Sequence, residues 1–377
     1  MGGDQSFTQA ARPPARAGTN GDGPVGRAWR RLRKNKGAVF GLLVICLAVL
    51  VAVFAYFIAP DPSPFANRII VEINGQKPGY KKSFVKVKKE KEVAPTGFFK
   101  QLAAGKEDTY LYIPVDGFEK KGDSIIVQKY IDDGVNERAA YPVTQTAANP
   151  VVTQKFLLGT DKYGRDIFSR IIVGTRVSLS VGLITVVISL SIGLVLGSLA
   201  GYYRGKTDDI IMWVINVIWS IPTLLLVFAI TLALGKGFWQ VFIAVGLTMW
   251  VNVARLVRGQ ILAIRELEYV EATRALGFSG MRTIVKHIWP NIMGPVMVIA
   301  AGNFASAIVI EAGLSFLGIG VQPPQPSWGL MVKENYNFII TQNPMLALAP
   351  GFAIMLLVLA FNLLGNGLRD ALNVRQA

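Results

Sequence analysis

The chain has 377 residues, 52% of them hydrophobic, with a formal net charge of +15 and a positive mean hydropathy. Several apolar runs of about twenty residues are typical of transmembrane helices and exclude a soluble domain. The basic balance indicates lysine and arginine retained on the cytoplasmic side of a membrane, rather than a nucleic-acid-binding face.

A single cysteine, Cys46, and a single histidine, His287, restrict the chemistry of the chain. Disulfide frameworks, CxxC pairs and thiolate or histidine-rich metal sites all need more of these residues. Catalytic Ser-His-Asp or Cys-His sets are not expected. The sequence also contains no GxxxxGK[ST] phosphate loop. We therefore expect no catalytic site, no metal site and no cofactor bound by this chain.

Residues 1–36 are predicted to be a disordered, basic cytoplasmic N-terminus, because they are rich in Gly, Ala, Pro and Arg. An apolar run at 37–58 follows and is long enough to cross ~30 Å of hydrocarbon. The basic residues before it should hold that end in the cytoplasm. The run is too long for a cleaved signal peptide, and no small-x-small site follows it. We predict a first transmembrane helix within 37–60.

Residues 61–158 are polar and rich in lysine, and acids nearly balance the bases. Short β-favouring runs at 69–73, 84–87, 110–115 and 124–130 alternate with Gly, Pro and Asp turn signals. They predict a small β-rich extracytoplasmic insert. Its lysines do not contradict that location, because the positive-inside rule is counted over loops shorter than ~60 residues. A passive decoration and a docking surface for a binding protein both remain open.

Residues 158–176 (LGTDKYGRDIFSRIIVGTR) predict a helix on the outer membrane surface before the second span. Asp161 is the predicted N-cap, and Asp166 can pair with Arg170 across one helical turn. One face collects Ile167, Phe168, Ile171 and Ile172. Capping and ion pairing are favoured over a metal-binding or catalytic role for the two aspartates.

Five further apolar segments are predicted to span the membrane, at 177–202, 210–234, 238–257, 291–313 and 345–364. Pro222 lies in the middle of the second of these and should kink it. Small residues in 177–202 should let helices approach closely. Residues 314–343 contain three prolines, which should block regular structure. The basic residues of the short loops favour six spans with both termini cytoplasmic.

Ionisable groups within spans usually mark transport paths or proton relays. Glu311, near the outer end of the segment at 291–313, is a candidate gate or pore carboxylate. The favoured alternative is an interfacial acid that pairs with Arg165 or Arg176, because charge is less costly near headgroups. Uncharged polar candidates for interhelix hydrogen bonds or a wet path are Asn216, Asn252, Asn303 and Asn362.

Residues 268–290 (EYVEATRALGFSGMRTIVKHIWP) are polar and lie between two apolar segments. They predict two short helices joined at 277–280, with Gly277 as a left-handed cap and Ser279 as the next N-cap. Pro290 should mark a fresh helix start. An apolar stripe on the second helix consists of Met281, Ile284, Val285 and Ile288. Such a segment either rests on the bilayer surface or is offered to a partner.

Several residues of this segment carry a family resemblance. Glu271-Ala272-Thr273, then Gly277, then Pro290 after a fixed gap resemble the EAA loop of ABC-importer permeases. In that family the loop is the coupling helix that docks into a groove on the cytoplasmic ATPase. Mild departures from the family pattern are Thr273, His287 and Trp289, where the family often has Ala, Ile and Leu.

Two other segments, 158–176 and 311–329 (EAGLSFLGIGVQPPQPSWG), resemble one branch of that family. The branch is the dipeptide/oligopeptide (and nickel) importers, in their second permease subunit. The matching residues of the first segment are Asp161, Gly164, Arg165, Asp166, Ser169, Arg170, Gly174 and Arg176. Together the three motifs place the resemblance over about 158–375.

The resemblance implies an all-α membrane protein with the six-helix type I ABC-importer permease fold, and the β-rich insert would lie between helices 1 and 2. The core would occupy 159–377, with a cytoplasmic coupling loop at 258–290. It implies a permease for di- and oligopeptides in the cell (inner) membrane, embedded in the lipid bilayer and without nucleic acid. Partners would be a second permease subunit, two cytoplasmic ATPase subunits that hold ATP and Mg, and an extracytoplasmic substrate-binding protein. A membrane scaffold or sensor whose insert binds an external partner is the alternative.

Overall fold

The computed structural model describes residues 24–90, 93, 96–235, 237–340 and 343–372. Most of the predicted disordered N-terminus lies outside these residues. The helices are α1 (Pro24–Lys34), α2 (Lys36–Val53), α3 (Ala55–Ile58), α4 (Phe98–Ala104), α5 (Ile167–Tyr203), α6 (Gly205–Trp219), α7 (Thr223–Leu234), α8 (Phe238–Ile264), α9 (Glu268–Ala275), α10 (Gly280–Thr283), α11 (Trp289–Phe316), α12 (Trp328–Asn335) and α13 (Met345–Leu372). The strands are β1 (Tyr80–Lys88), β2 (Tyr110–Lys121), β3 (Ser124–Asp132), β4 (Val135–Pro142) and β5 (Thr146–Phe156).

The basic cluster before the first apolar run is helical, which corrects part of the disorder predicted for 1–36. It forms α1, whose Leu32 is buried against Ala38 and Ala371. Leu32 thus gives this short segment an apolar contact with the first turn of α2 and the last turn of α13. Burial of that kind offsets the entropy that otherwise leaves a charged segment disordered.

Five runs among the described residues are long and apolar enough to cross a membrane. They are α2, α5, α8, the continuous run Gly280–Phe316 and α13. The pair α6 and α7 passes the same test only together, and the two helices are bent by 92° at Ser220–Pro222. Pro222 has extended backbone angles and precedes α7, so it breaks the predicted span more sharply than a kink.

Helix α5 begins at Ile167 and runs unbroken for 37 residues. The separate surface helix predicted before residue 177 therefore does not form. The N-cap is Asp166, whose side chain accepts a hydrogen bond from the Ser169 backbone N–H at 3.0 Å, and not Asp161. Because the N-cap is Asp166 rather than Asp161, the apolar residues at 167–172 lie in the first turns of the long helix α5.

The insert is an antiparallel five-stranded sheet in the order β4-β3-β2-β1-β5. Each face covers its own apolar cluster, one around Phe84 and Phe156 and the other around Val85 and Val127. The predicted β runs at 84–87, 110–115 and 124–130 lie in β1, β2 and β3. The β run predicted at 69–73 is wrong, because these residues end in a 3-10 turn, Val71–Ile73, and not in a strand.

The long helices pack through small residues, as the sequence predicted for 177–202. A Cβ added at Gly197 would lie 2.5 Å from the Ala254 carbonyl oxygen, and one at Gly193 would lie 2.5 Å from the Val253 Cβ. These contacts bring α5 and α8 together along their length. Helices α11 and α13 pack beside this pair, and α2 packs on α13.

Helix α12 corrects the prediction that residues 314–343 lack regular structure. Ser327 caps it, since its hydroxyl oxygen accepts a hydrogen bond from the Leu330 N–H at 3.1 Å. Trp328 then donates its indole N–H to the Ile171 carbonyl of α5 at 3.0 Å. The prolines precede the cap, so they do not interrupt the helix.

Candidate functional site

Residues 268–290, here called the EAA segment, form two short helices joined at a glycine. Gly277 has a φ of 74°, and its N–H donates to the Arg274 carbonyl at 2.9 Å. The Phe278 N–H donates to the Thr273 carbonyl at 3.0 Å. These two bonds are those that close a helix on a left-handed glycine. Ser279 stands at the N-cap position of α10, but its side chain makes no capping bond.

The second half of the EAA segment contains a π turn, Ile284–Ile288. The Trp289 N–H donates to the Ile284 carbonyl, five residues back. The helical run therefore continues through Pro290 to Phe316, which corrects the prediction that Pro290 marks a fresh start. A π turn re-phases the helix locally, so a residue without an N–H fits.

The predicted apolar stripe is divided between two environments. Ile284 and Ile288 are buried, whereas Met281 and Val285 are exposed. The π turn explains the split, because its turn is wider than the 3.6 residues on which the stripe was predicted. With Val270, the two buried isoleucines belong to an apolar cluster shared with α5, α8 and α11. The EAA segment is thus packed onto three long helices.

Thr273 links the two arms of the EAA segment. Its buried hydroxyl lies 3.2 Å from the Thr283 hydroxyl of α10 and donates to the Val270 carbonyl at 2.7 Å. Nearby, the Phe278 ring stacks on His287 with ring centres 5.7 Å apart, and the Arg282 guanidinium lies over Phe278. Thr273, where the family often has alanine, therefore stabilises the bend between α9 and α10.

The other side of the EAA segment is open. Glu271 and Ala272 are exposed. Large apolar side chains are exposed beside them, namely Leu267, Tyr269, Leu276, Met281 and Val285. Exposed apolar residues of this size mark a surface that contacts another protein or the membrane.

A second motif region, here called the charge cluster, consists of Asp161, Arg165 and Arg170 with Glu334 of α12. The Arg165 Nε lies 2.6 Å from the Asp161 Oδ2, and its Nη2 lies 2.9 Å from the Glu334 Oε2. The Arg170 Nη2 lies 3.3 Å from the same Glu334 oxygen. The predicted pair of Asp166 with Arg170 does not form, because Asp166 caps α5 instead.

A tight loop positions the charge cluster. The Asp161 Oδ1 accepts hydrogen bonds from the backbone N–H groups of Tyr163 and Arg165 at 2.9 and 3.0 Å. Gly164 has a φ of 71°, and a Cβ added there would lie 1.7 Å from the Ile70 carbonyl oxygen. Only glycine fits this approach of the loop to the start of the insert.

The start of α5 is also tied to the insert through Ser169. Its hydroxyl accepts a hydrogen bond from the Asp61 N–H at 2.9 Å and donates to Asp166. The Asp61 carboxylate accepts from the Arg68 N–H at 3.0 Å, and Arg68 pairs with Asp108 at 2.6 Å. Burial lowers the pKa of Arg68, but the hydrogen bond to Asp108 and the nearby acidic charges outweigh it, so the pKa is raised.

Glu311 is fully buried and accepts a hydrogen bond from the Ser315 hydroxyl at 2.5 Å. Its partner is neither Arg165 nor Arg176, so the favoured pairing is wrong. Arg165 belongs to the charge cluster, and the Arg176 Nη1 donates to the Leu102 carbonyl at 3.0 Å. The Ser315 hydroxyl accepts from the Val321 N–H at 3.0 Å, so Glu311 stabilises the turn after α11.

A cavity of about 470 Å³ opens between α6, α7, α8, α11 and α13. Its polar lining consists of Thr223, Thr248, Asn252, Asn303, Ser306 and Asn362. Three of the four predicted asparagines therefore converge, whereas Asn216 accepts a hydrogen bond from Arg255 at 3.1 Å. None of the described lining residues is charged. The two threonines and Ser306 were not predicted, because an isolated hydroxyl in an apolar segment carries no periodic signal.

In the part of the chain that the structure describes, no group of three or more His, Cys, Asp or Glu side chains could hold a metal ion. The acids of the charge cluster are engaged by arginines and backbone N–H groups. The charge cluster therefore uses its acids for charge pairing and hydrogen bonding within the chain.

Comparison with known proteins decides the family. Residues 193–377 match the model for the inner membrane component of binding-protein-dependent transport systems. Residues 23–76 match the N-terminal TM domain of oligopeptide transport permease C. The chain is 44% identical over 216 residues to the glutathione transport system permease protein GsiD of Pectobacterium atrosepticum, covering 57% of this chain and 71% of that protein. The chain belongs to the peptide ABC-importer permeases of the C type.

Two further comparisons accompany that assignment. The permease is 41% identical over 215 residues to the oligopeptide transport system permease protein OppC of Bacillus subtilis, covering 57% of this chain and 70% of that protein. Among solved structures it is similar to the MetNI methionine ABC transporter in an inward-facing conformation, with a TM-score of 0.45 and 19% identity over 54% of this chain and 96% of that chain.

The resemblance seen in the motifs is confirmed, and the permease is a multi-pass membrane protein with five or six apolar helices among its described residues. Its β-rich insert is confirmed as a five-stranded sheet. Residues 77–192 lie outside both family matches, so the sheet and the charge cluster's loop are not part of the matched family regions.

Proposed function

We propose that this permease forms half of the translocation path of an ATP-driven importer for di- and oligopeptides. The supporting observation is the two-sided EAA segment, packed onto α5, α8 and α11 on one side and open on the other. A partner that binds the open side would move three long helices through a packed contact, and packed contacts transmit displacement because they are dense.

The energy comes from two cytoplasmic ATPase subunits that bind ATP and Mg. Their closure moves the EAA segment as a lever, with Glu271, Ala272 and Gly277 in the docking region and Pro290 at the junction with α11. Because α10 leads into α11 without a break, this movement reorients the helix that carries Asn303. The cavity then opens alternately to the two sides of the membrane.

Six crossings follow if α6 and α7 together form the third. Both termini and the EAA segment then lie in the cytoplasm of the cell (inner) membrane, and the insert lies outside. The arginines of α1 and Arg369 of α13 support this orientation, since positive residues flank cytoplasmic span ends. A second permease subunit completes the path, and an extracytoplasmic binding protein delivers the substrate.

The cavity lining suits a peptide whose sequence varies. Amide and hydroxyl groups of Asn252, Asn303 and Asn362, with Thr248, can exchange hydrogen bonds with any peptide backbone. Because the lining is uncharged, it does not select peptides by the charge of their side chains. Two similar permeases are named for glutathione and oligopeptide transport, which agrees with this substrate class.

Transport in reconstituted vesicles tests the proposal. We expect ATP-dependent uptake of labelled peptides by the permease with its copurified subunits, and loss of both uptake and ATPase copurification in Glu271→Lys. Glu119→Lys, an exposed acid of β2, is the matched control and should retain both. Failure to transport any peptide length would overturn the peptide assignment. A permease that never copurifies with an ATPase would favour the scaffold or sensor alternative.

A further inference from the structure

Helix α4 carries two exposed phenylalanines where the insert meets the bundle. Phe99 is 83% exposed, and Phe98 is more than half exposed. The Phe98 ring lies 5.6 Å from Phe99 and 5.4 Å from Phe57 of α3. Apolar rings of this size are rarely left in water without a partner.

Phe57 locates this aromatic pair relative to the membrane. It lies in α3, which continues the run of α2 after a single residue, Phe54. Phe54, Phe57 and Ile58 are exposed, and only 11% of the residues of α2 are buried. The rings of α4 therefore lie beside the apolar surface at the end of the first span.

Three contacts hold α4 in that place. Arg176 of α5 donates to the Leu102 carbonyl at 3.0 Å, and the Lys106 N–H donates to the Pro62 carbonyl at 2.8 Å. Between them, Gly105 has a φ of 82°, and an added Cβ would lie 2.7 Å from the Pro62 oxygen. The helix is therefore fixed to the bundle while its two rings stay exposed.

We infer that α4 is an interfacial anchor, and that Phe98 and Phe99 insert into the boundary between headgroups and acyl chains of the outer leaflet. The occupant is lipid because the rings continue the exposed apolar surface of the first span. Exposed Lys100 follows Phe99 directly, and Lys106 follows the helix. A cation beside apolar rings matches the phosphates above the acyl chains.

The anchor fixes the height of the insert above the bilayer. Helix α4 leads through Lys106 to Asp108, which pairs with Arg68 at 2.6 Å, and then to β2. The sheet is thereby attached on one side to α5 and on the other to the membrane surface. The choice of leaflet depends on the proposed topology, whereas insertion itself does not depend on which solute is carried.

Spin labelling of the full chain in phospholipid vesicles tests the anchor. The only cysteine, Cys46, is replaced in Cys46→Ser, and a nitroxide is attached at Phe99→Cys. Labels at Leu47→Cys and Phe118→Cys serve as bilayer and water controls, since these positions are 61% and 56% exposed in α2 and β2. We expect the label at 99 to lie between the two controls, with stronger relaxation by oxygen and weaker relaxation by a water-soluble nickel chelate than the label at 118.

Two results would overturn the inference. A label at 99 that behaves like the one at 118 lies in water. A label shielded from both oxygen and nickel is covered by protein, for example by a second permease or another copy of the chain. Should Phe99→Cys fold poorly, Phe98→Cys is labelled instead, under the same two criteria.

A second measurement tests the role of the rings without a label in their place. Phe99→Ser should increase the mobility of a nitroxide at Lys106→Cys, because the anchor is weakened, whereas Phe118→Ser should not. Unchanged mobility in Phe99→Ser would show that the ring does not anchor α4. Neither readout requires transport, so failure of the peptide assignment would leave this test valid.

Discussion

The charge cluster and the EAA segment both contain residues that resemble motifs of the family, but they differ in how much of the motif is buried. Asp161, Arg165 and Arg170 are almost fully buried and pair with one another and with Glu334. In the EAA segment Glu271 and Ala272 are exposed, and Gly277 has open space around it. A motif can therefore maintain the fold in one region and leave a surface free to bind a partner in another.

The largest expected effect is the removal of Glu334. Glu334→Ala leaves Arg165 and Arg170 buried beside an empty position, and breaking a buried charge pair costs about 3 to 5 kcal/mol. We expect the detergent-solubilised protein to lose most of its folded, monodisperse fraction and to unfold at a lower temperature. Glu271→Ala is the control, because that acid is exposed. Equal melting of the two variants would show that the charge cluster does not support the fold.

Two glycines with almost the same backbone conformation provide a sharper contrast. Gly164 has a φ of 71° and Gly277 a φ of 74°, but only Gly164 is crowded. Gly277→Ala should lower the free energy of unfolding by about 1 to 2 kcal/mol, the cost of a left-handed non-glycine residue. Gly164→Ala adds a clash with the Ile70 carbonyl and should lower it further.

Thermal unfolding of both glycine variants under one detergent condition measures this difference. Gly302→Ala, in a helix and with nothing near its added Cβ, is the control for a glycine without special backbone angles. If Gly277→Ala proved as destabilising as Gly164→Ala, the EAA segment would be as tightly constrained as the loop of the charge cluster.

The third prediction concerns binding rather than folding. Leu276 is 72% exposed in the EAA segment. Leu276→Asp should change stability by less than about 0.5 kcal/mol, but reduce copurification of ATPase subunits about tenfold, equivalent to about 1.4 kcal/mol. Phe118→Asp, at an exposed position of β2, should affect neither quantity. A Leu276→Asp protein that retains its ATPase would exclude Leu276 from the docking surface.

The sequence predicted features that depend on neighbouring residues. Apolar runs placed the long helices, and Gly277 gave its cap, because hydropathy and left-handed glycines act locally. The pairing of Arg170 with Glu334 joins residues 164 positions apart, and no local sequence pattern predicts it. Helical spacing instead predicted that Arg170 pairs with Asp166. Asp166 is the N-cap of α5, so its side chain is engaged by the helix N-terminus.

Strands β4 and β5 have no counterpart among the predicted β runs. In β4 most positions are exposed, so the period-2 alternation that identifies a half-buried strand is absent. Helix α12 was missed because its cap, Ser327, follows directly after three prolines that dominate the local signal. In the EAA segment the π turn shifted the apolar stripe, which a prediction at 3.6 residues per turn could not anticipate.

The smallest expected effect is at Thr273, a buried motif residue next to exposed ones. Thr273 follows the exposed Glu271 and Ala272 of the proposed docking surface, but its own hydroxyl is buried against Thr283 at 3.2 Å. Thr273→Ala should destabilise by about 1 kcal/mol, the net value of one hydrogen bond, whereas Thr273→Ser keeps the hydroxyl and should recover most of it. Since the family often has alanine here, ATPase copurification should persist in both variants. A Thr273→Ala variant that folds normally but loses the ATPase would mean that the bend itself, rather than the exposed side chains, determines docking.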